Sequence, residues 1–285
     1  MSIPRLNGII KALEAGNNTF VCFQPADTGA AQAVATEKYD GVVFEMEHGA
    51  YDIKALRVCL QYMLNRQQIA ASGSVAPAVT PMVRIPPNGA EMNQWIAKQV
   101  LDQGVYGIVW PHISTVEEAR NAVASCRYAR PSGAPRYEPA GQRGDAPANA
   151  ARFWGISQQE YYDRADVWPL DPNGEILVAI MCEDVVGLKN LPTILKKVPG
   201  IGAVIIGEGD LSQNLGFPRQ YKHPTVAGAI NEILSICKAH NVACGHPHVE
   251  ADNVDEVVAQ GFKWLMPRPV RSNAVLDKAL KLSGR

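Results

Sequence analysis

Residues 41–49 read Gly-Val-Val-Phe-Glu-Met-Glu-His-Gly: an apolar run from Gly41 to Phe44 stops at a cluster of acid and imidazole groups, Glu45, Glu47 and His48. A buried strand that delivers ionisable groups at its carboxyl end is how a parallel sheet feeds an active site. The arrangement recurs downstream. Ile176-Leu177-Val178-Ala179-Ile180 runs into Met181-Cys182-Glu183-Asp184, and Ala203-Val204-Ile205-Ile206 runs into Gly207-Glu208-Gly209-Asp210. Carboxylates at three strand ends point to one shared site.

Working outward from these runs, β-branched or apolar stretches suited to strands lie at 19–23, 41–45, 79–84, 107–111, 176–182, 203–207, 242–246 and 263–267. Helical spacing of apolar residues predicts helices at 27–38, 53–66, 88–103, 115–129, 185–198, 226–240, 252–260 and 272–283, with one more at 4–16 ahead of the first strand. Strands that alternate with helices form a parallel sheet, because parallel neighbours need crossovers. Eight such units close most naturally as an α/β (β/α)₈ TIM barrel, here expected as a single domain over 1–285 with an N-terminal helix. The competing doubly wound sheet would carry a Gly-x-Gly-x-x-Gly turn after its first strand, and Gln24-Pro25-Ala26-Asp27-Thr28-Gly29 stands there instead.

The compositional break is 130–175, a Pro-, Gly- and Arg-rich excursion before the fifth strand that ends in Trp154, Tyr161, Tyr162 and Trp168. A connection of this length is unusual inside a compact domain. Its place between a helix and the next strand puts it on the amino-terminal side of the barrel. Its aromatic part has two readings, a subunit interface or a surface excursion.

Composition excludes several classes. With a formal net charge of −1 and Lys and Arg spread along the chain, there is no basic stripe for a phosphate backbone, so no nucleic-acid partner is expected. No uncharged apolar run approaches the length of a membrane span, and the N-terminus has no cationic-then-apolar leader. The expectation is a cytoplasmic protein. Cys22, Cys59, Cys126, Cys182, Cys237 and Cys244 form no Cys-x-x-Cys pair and are expected as buried free thiols.

In a barrel the carboxyl ends of the strands build the site, so Glu45, Glu47, His48, Arg84, His112, Glu183, Asp210, His246, His248 and Arg268 form one set. Buried charge is costly unless paired or bound to metal, and stability alone accounts poorly for so many ionisable groups. Glu183 and Asp210, at the ends of neighbouring strands, are the metal-ligand pair; carboxylates completed by water suit Mg²⁺ or Mn²⁺ better than Zn²⁺. Either acid could instead cap the helix that follows it. Gly207 and Gly209 flank a turn whose N–H groups could hold a carboxylate or phosphate beside the ion. His48 is the acid/base candidate, with Glu45 or Glu47 fixing its tautomer; the alternative is a satisfied polar residue. Arg84 could bind a substrate carboxylate and steady an oxyanion, or form a salt bridge to Glu47 or another strand-end acid. His246-Pro247-His248 could be a second metal site, but His246 and Arg268 are better placed as a polar wall against substrate.

With these residues in hand the chain resembles the HpcH/HpaI aldolase family, which includes 4-hydroxy-2-oxoheptanedioate aldolases and macrophomate synthase and is related to the citrate lyase β-subunit. The resemblance spans nearly the whole chain. It rests on Phe44-Glu45-Met46-Glu47-His48-Gly49, Val83-Arg84-Ile85-Pro86, Leu101-Asp102-Gln103-Gly104 with Pro111, Arg143-Gly144, Glu183, and Gly207-Glu208-Gly209-Asp210-Leu211-Ser212 with Leu215-Gly216. It implies a metal-dependent class II aldolase, typically a hexamer, or trimer of dimers, acting on pyruvate or related 2-oxo acids and an aldehyde. Glu183 and Asp210 would hold the divalent ion, Arg84 would contact the 2-oxo acid, Gly209 and Asp210 would line its site, and His48 would be the acid/base assisted by Glu45. No Schiff-base lysine is required, and no strand end displays one.

Three positions depart from the family pattern. Glu45 stands where Asp is usual, Met181 where Gln is common, and Glu208 where Pro is usual, adding negative charge near the ion. The metal-and-enolate half of the site is therefore the better marked. Alternatives are decarboxylation of an oxaloacetate-like acid, a macrophomate synthase-like reaction, a CoA-ester lyase and, from another class, a non-catalytic 2-oxo-acid-binding barrel. A CoA enzyme would need a basic cleft, and no compact Lys/Arg cluster supplies it.

Overall fold

The computed structural model describes residues 4–86, 92, 94–268 and 274–285. Nine parallel strands run β1 Thr19–Pro25, β2 Gly41–Glu45, β3 Thr80–Arg84, β4 Gly107–Trp110, β5 Val167–Trp168, β6 Ile176–Cys182, β7 Ala203–Ile206, β8 Ala243–Val249 and β9 Trp264–Pro267. Their order is β4-β3-β2-β1-β9-β8-β7-β6, and β4 pairs with β6 to close the ring. Eight strands thus form the barrel, and the two-residue β5 adds to the outside of β6. The strands read as continuous apolar runs because both faces are covered: β6 is buried at all seven positions.

One face of each strand fills the barrel and the other packs under helices. Val21, Val43, Met82, Val109, Leu177, Ala179, Ile205 and Trp264 form the inner cluster. The helix Gly8–Glu14 plugs the amino-terminal end by sending Ile9 and Ile10 into that cluster. Each such side chain contributes about 1.5–3 kcal/mol when taken fully out of water. Gly41 is what lets the plug in, since a Cβ there would overlap the Ile9 side chain. Glu175 accepts N–H bonds from Leu6 (3.0 Å) and Asn7 (2.8 Å), and Asn7 caps the plug helix through Ile9 and Ile10. These bonds fix the plug to the start of β6 and place the end of the 130–175 excursion on the amino-terminal side.

The aromatic part of that excursion is anchored in the fold by Trp154 and Tyr161, while Tyr162 stays exposed. It folds as two helices, Ala148–Trp154 and Gln158–Arg164. Trp154 and Tyr161 are fully buried: Trp154 stacks on Tyr106 at 4.3 Å, donates Nε1–H to the Gly104 carbonyl at 2.8 Å, and meets the edge of Tyr161 at 4.7 Å. The buried Arg143 joins Tyr161 Oη (2.8 Å) and Asp102 (2.9 Å) beneath them. Rings of this size bury too much apolar area to be left at a surface.

The remaining expected helices appear at Thr28–Val34, Ile53–Tyr62, Val116–Ser125, Val185–Lys197, Pro224–Ala239 and Val254–Gln260. The expectation at 88–103 falls partly on residues outside the described ones and continues as Gln94–Leu101; that at 272–283 is seen as Ala274–Leu282. Two further short helices, Arg66–Ser72 and Glu208–Asn214, also go beyond the expected set, because seven residues carry too little periodicity to register in the sequence. The described cysteines are all free and buried, and no described helix is long and apolar enough to cross a membrane.

Candidate active site

The carboxyl ends of the strands surround a cavity of about 300 Å³ lined by Phe23, Arg84, Met181, Glu183, Asp210 and His248, among others. A larger hollow of about 880 Å³ opens at the amino-terminal end beside Arg5, Asp40, Arg164 and Glu175, whose charges are already paired with one another or with Arg285. Chemistry belongs to the smaller one.

Three acids, Glu183 in its lining and Glu45 and Glu47 against Arg84, are held in different ways. Glu45, the last residue of β2, accepts from the Glu47 and His48 backbone N–H groups (2.8 and 3.2 Å) with one oxygen and from Arg84 Nε (2.8 Å) and Nη2 with the other. β2 and β3 are in register so that Glu45 lies directly opposite Arg84. The fork of Arg84 also sets Nη1 2.9 Å from Glu47, 3.7 Å from Met181 Sδ, and its guanidinium 4.8 Å from the Phe23 ring centre. The expected pairing of Glu45 with the His48 ring is thereby corrected. Glu45 bonds the His48 backbone, and the ring nitrogen Nε2 lies 3.5 Å from Glu47. The longer Glu side chain spans to Arg84, where it finds a bidentate cation. The His48 ring itself is 67% exposed.

Glu47 also approaches His112 Nε2 at 3.7 Å. Burial pushes its carboxyl up from the ordinary range, against the opposing pull of Arg84, His48 and His112. Arg84 therefore pairs with Glu45 and with a second acid, Glu47, that burial biases towards neutrality.

Glu183 is buried, and burial raises its pKa to about 7, with His112 pulling it down and Glu47 and Asp210 pushing it further up. It accepts the His112 backbone N–H at 2.7 Å. That N–H points inward because His112 adopts a positive φ of 52°, uncommon without glycine and concentrated at functional sites. The carboxylate sits where a side chain on Gly207 would be: a Cβ at that position would collide with Glu183 Oε2. Among the described residues, His112, Glu183 and Asp210 bring donor atoms within 4.8 Å of one another. Two carboxylates and an imidazole converging on one point, one acid buried without a full counter-charge and cradled by a glycine, fit a divalent cation. Neither acid is merely a cap: Asp184, not Glu183, caps the helix Val185–Lys197, and the helix Glu208–Asn214 has no side-chain cap.

On the far wall Glu208, Gly209, Arg219, Tyr221, His248 and Arg268 line the cavity. His246 does not. Its ring meets Phe262 edge-on at 4.9 Å and its Nε2 lies 3.5 Å from Glu208, so the substrate wall expected at His246 is formed by His248. Strict alternation would put His246 and His248 on one face of β8; the register shift between His246 and Val249 separates them, leaving His248 at the cavity. Glu208 likewise does not spend its charge on the ion position; it is buried and bonded to His248 Nδ1 at 2.6 Å.

The family model for HpcH/HpaI aldolase/citrate lyase matches residues 19–265. The chain belongs to this family. A 2-keto-3-deoxy-L-rhamnonate aldolase of Klebsiella pneumoniae is 32% identical over 235 residues, covering 82% of this chain and 76% of the relative. A hydroxypyruvate/pyruvate aldolase of Roseobacter denitrificans is 28% identical over 241 residues, covering 84% and 82%. Among solved structures, a HpcH/HpaI aldolase/citrate lyase family protein from Burkholderia cenocepacia superposes with a TM-score of 0.74 at 23% identity, covering 97% of both chains, and shows the same fold. This HpcH/HpaI member is an enzyme, a carbon–carbon lyase of the class II aldolase type.

Sequence reasoning places His112 in the strand-end set without a role. The signal is its position directly after the apolar run to Trp110 and Pro111; what cannot be read there is the positive φ that turns it towards Glu183.

Proposed function

We propose that the chain cleaves a 4-hydroxy-2-oxo acid to pyruvate, or a close analogue such as hydroxypyruvate, and an aldehyde, with Mg²⁺ or Mn²⁺ held by Glu183 and Asp210 and with His112 beside them. The observation that carries this reading is Glu183: a buried carboxylate raised to about 7, in the space left by Gly207, with Asp210 and His112 at ligand distance. A bound divalent ion supplies a Lewis acid for the oxygens of the 2-oxo acid. Arg84, clamped by Glu45 and Glu47, presents a fixed guanidinium to the oxygen on which charge develops when the carbon–carbon bond breaks. His48 serves as an acid/base through its pairing with Glu47. Gly209 and Arg268 complete the wall against substrate.

The reading includes a homo-oligomer working in the cytoplasm, where six free buried thiols are stable. Light scattering on the purified chain measures the subunit number. The deciding experiment follows pyruvate release from 4-hydroxy-2-oxopentanoate. Turnover should need Mn²⁺ or Mg²⁺, vanish after chelation and return on adding metal; turnover that persists through exhaustive chelation would falsify the reading.

A further inference from the structure

Nothing in the proposed reaction uses the most tightly built imidazole in the cavity. Glu208 is 3% exposed and lies between two histidines: Oε2 is 2.6 Å from His248 Nδ1, and Oε1 is 3.5 Å from His246 Nε2. His246 Nδ1 accepts the His248 backbone N–H at 3.3 Å, which leaves the His246 proton on Nε2, facing Glu208. The same carboxylate therefore receives the Nδ1–H of His248, and the lone pair of His248 is on Nε2. The His248 ring is fixed further by Tyr221, stacked on it at 5.0 Å and 20°, and its carbonyl is held by Asn253 Nδ2 at 2.8 Å. His248 lines the cavity together with Glu183, Asp210 and Arg84, whereas His48 is mostly exposed and is not among the lining residues.

We propose that His248, oriented by Glu208, is the base that takes the C4 hydroxyl proton when the carbon–carbon bond breaks. The inference rests on the aldolase reading above. In the step, His248 Nε2 accepts the hydroxyl proton and the O–H electron pair becomes the C4=O π bond of the departing aldehyde. The C3–C4 bond breaks and its pair forms the C2=C3 double bond, while the C2 carbonyl π pair moves onto the oxygen as an enolate. C3 then takes a proton, a separate step left to His48. His248 is in this sense a catalytic residue and Glu208 a positioning residue. The groups facing the ring are Glu208, His246 and Tyr221, with Arg219, Arg268 and Asp210 lining the same cavity.

The test separates the two proton transfers. Using the full chain with Mn²⁺, cleavage of 4-hydroxy-2-oxopentanoate is measured alongside exchange of the pyruvate methyl protons in D₂O, which forms the same enolate without any hydroxyl base. His248→Gln, and His248→Phe as a variant that keeps a ring on Tyr221, should lower cleavage by about 10²–10⁴-fold, the span of general acid–base catalysis, while methyl exchange falls no more than about threefold. Glu208→Gln should lower kcat for cleavage about tenfold while KM and methyl exchange hold, because an unoriented imidazole leaves binding and enolate formation intact. Cleavage and exchange falling together, or cleavage unaffected in both His248 variants, overturns the assignment to His248. A wild-type chain that neither cleaves nor exchanges overturns the aldolase reading itself, and the proposal with it.

Discussion

Glu175 at the amino end of the barrel and Glu183 at the carboxyl end flank the same strand, β6, and are both almost fully buried acids with raised pKa values. They differ in what opposes the cost of burial. Glu175 receives two backbone N–H bonds, from Leu6 and Asn7, and has Arg5 and Arg164 at 3.8 and 3.6 Å. Nearby Asp40 is treated alike, gripped by both Nη groups of Arg285 and by the Phe20 N–H. Glu183 has one backbone N–H and an imidazole at 3.9 Å, and two further acids, Glu47 and Asp210, push against it. One end of the strand has its charge satisfied within the chain. The other has one backbone N–H, a distant imidazole and two opposing acids, so its ionised form lacks a full counter-charge among the described residues, as the proposed metal site requires.

The sharpest break of that comparison is to neutralise each acid in turn. Glu183→Gln should lower turnover by 10³-fold or more, about 4 kcal/mol at the transition state, and abolish saturable Mn²⁺ binding. The same change should raise the thermal midpoint of the metal-free chain at pH 7.5, because it removes an ionised group that burial disfavours. A variant that stays active, or one less stable than wild type without metal, would show that Glu183 is structural. Glu175→Ala should do the reverse. Removing one partner from a buried ionic cluster strands Arg164 and two N–H groups, at a cost of about 3–5 kcal/mol, read as a lower urea midpoint with unchanged slope. Its kcat/KM per folded molecule should match wild type. Loss of activity out of proportion to unfolding would mean that the two ends are coupled.

How much of this contrast could be read from sequence follows from what sets each part. The strands are apolar runs of ordinary length ending in charge, so the eight-fold alternation, and with it the barrel, is written in local pattern. Glu183, Asp210 and Arg84 are legible because a strand's end is also its place in the site. The partners are not. Whether Glu45 turns to His48 or to Arg84 depends on β2–β3 register, whether His246 or His248 faces the cavity depends on a bulge, and His112 reaches Glu183 through one backbone angle. The packing of the aromatic run in 130–175 is hidden for a related reason: polarity and glycine content describe the start of the segment, but Trp154 and Tyr161 find their neighbours, Tyr106 and Arg143, only in three dimensions.

The smallest expected effect is also the one that probes Glu183 without destroying it. Its folded pKa, about 7, lies above the ordinary 4.5. Between those values the folded chain keeps a proton that the unfolded chain has released, so stability from this group is full below about pH 4.5, declines as pH rises, and levels off above about 7. The loss amounts to at most about 3.5 kcal/mol, since each pH unit between the two values is worth about 1.4 kcal/mol. A divalent ion needs the ionised form, so Mn²⁺ affinity should climb through the same window, up to about tenfold per pH unit, with proton release on binding. Glu47, also raised by burial, and Glu175 tilt the wild-type curve in the same direction. The difference between wild type and Glu183→Gln isolates the one group: urea melts of both metal-free chains from pH 5 to 8 should converge at the acid end and separate as pH rises, the variant becoming the more stable. Parallel curves would mean that Glu183 is ionised throughout in the folded chain, its charge already balanced by His112, and the contrast between the two ends of β6 would shrink to a difference in partners alone.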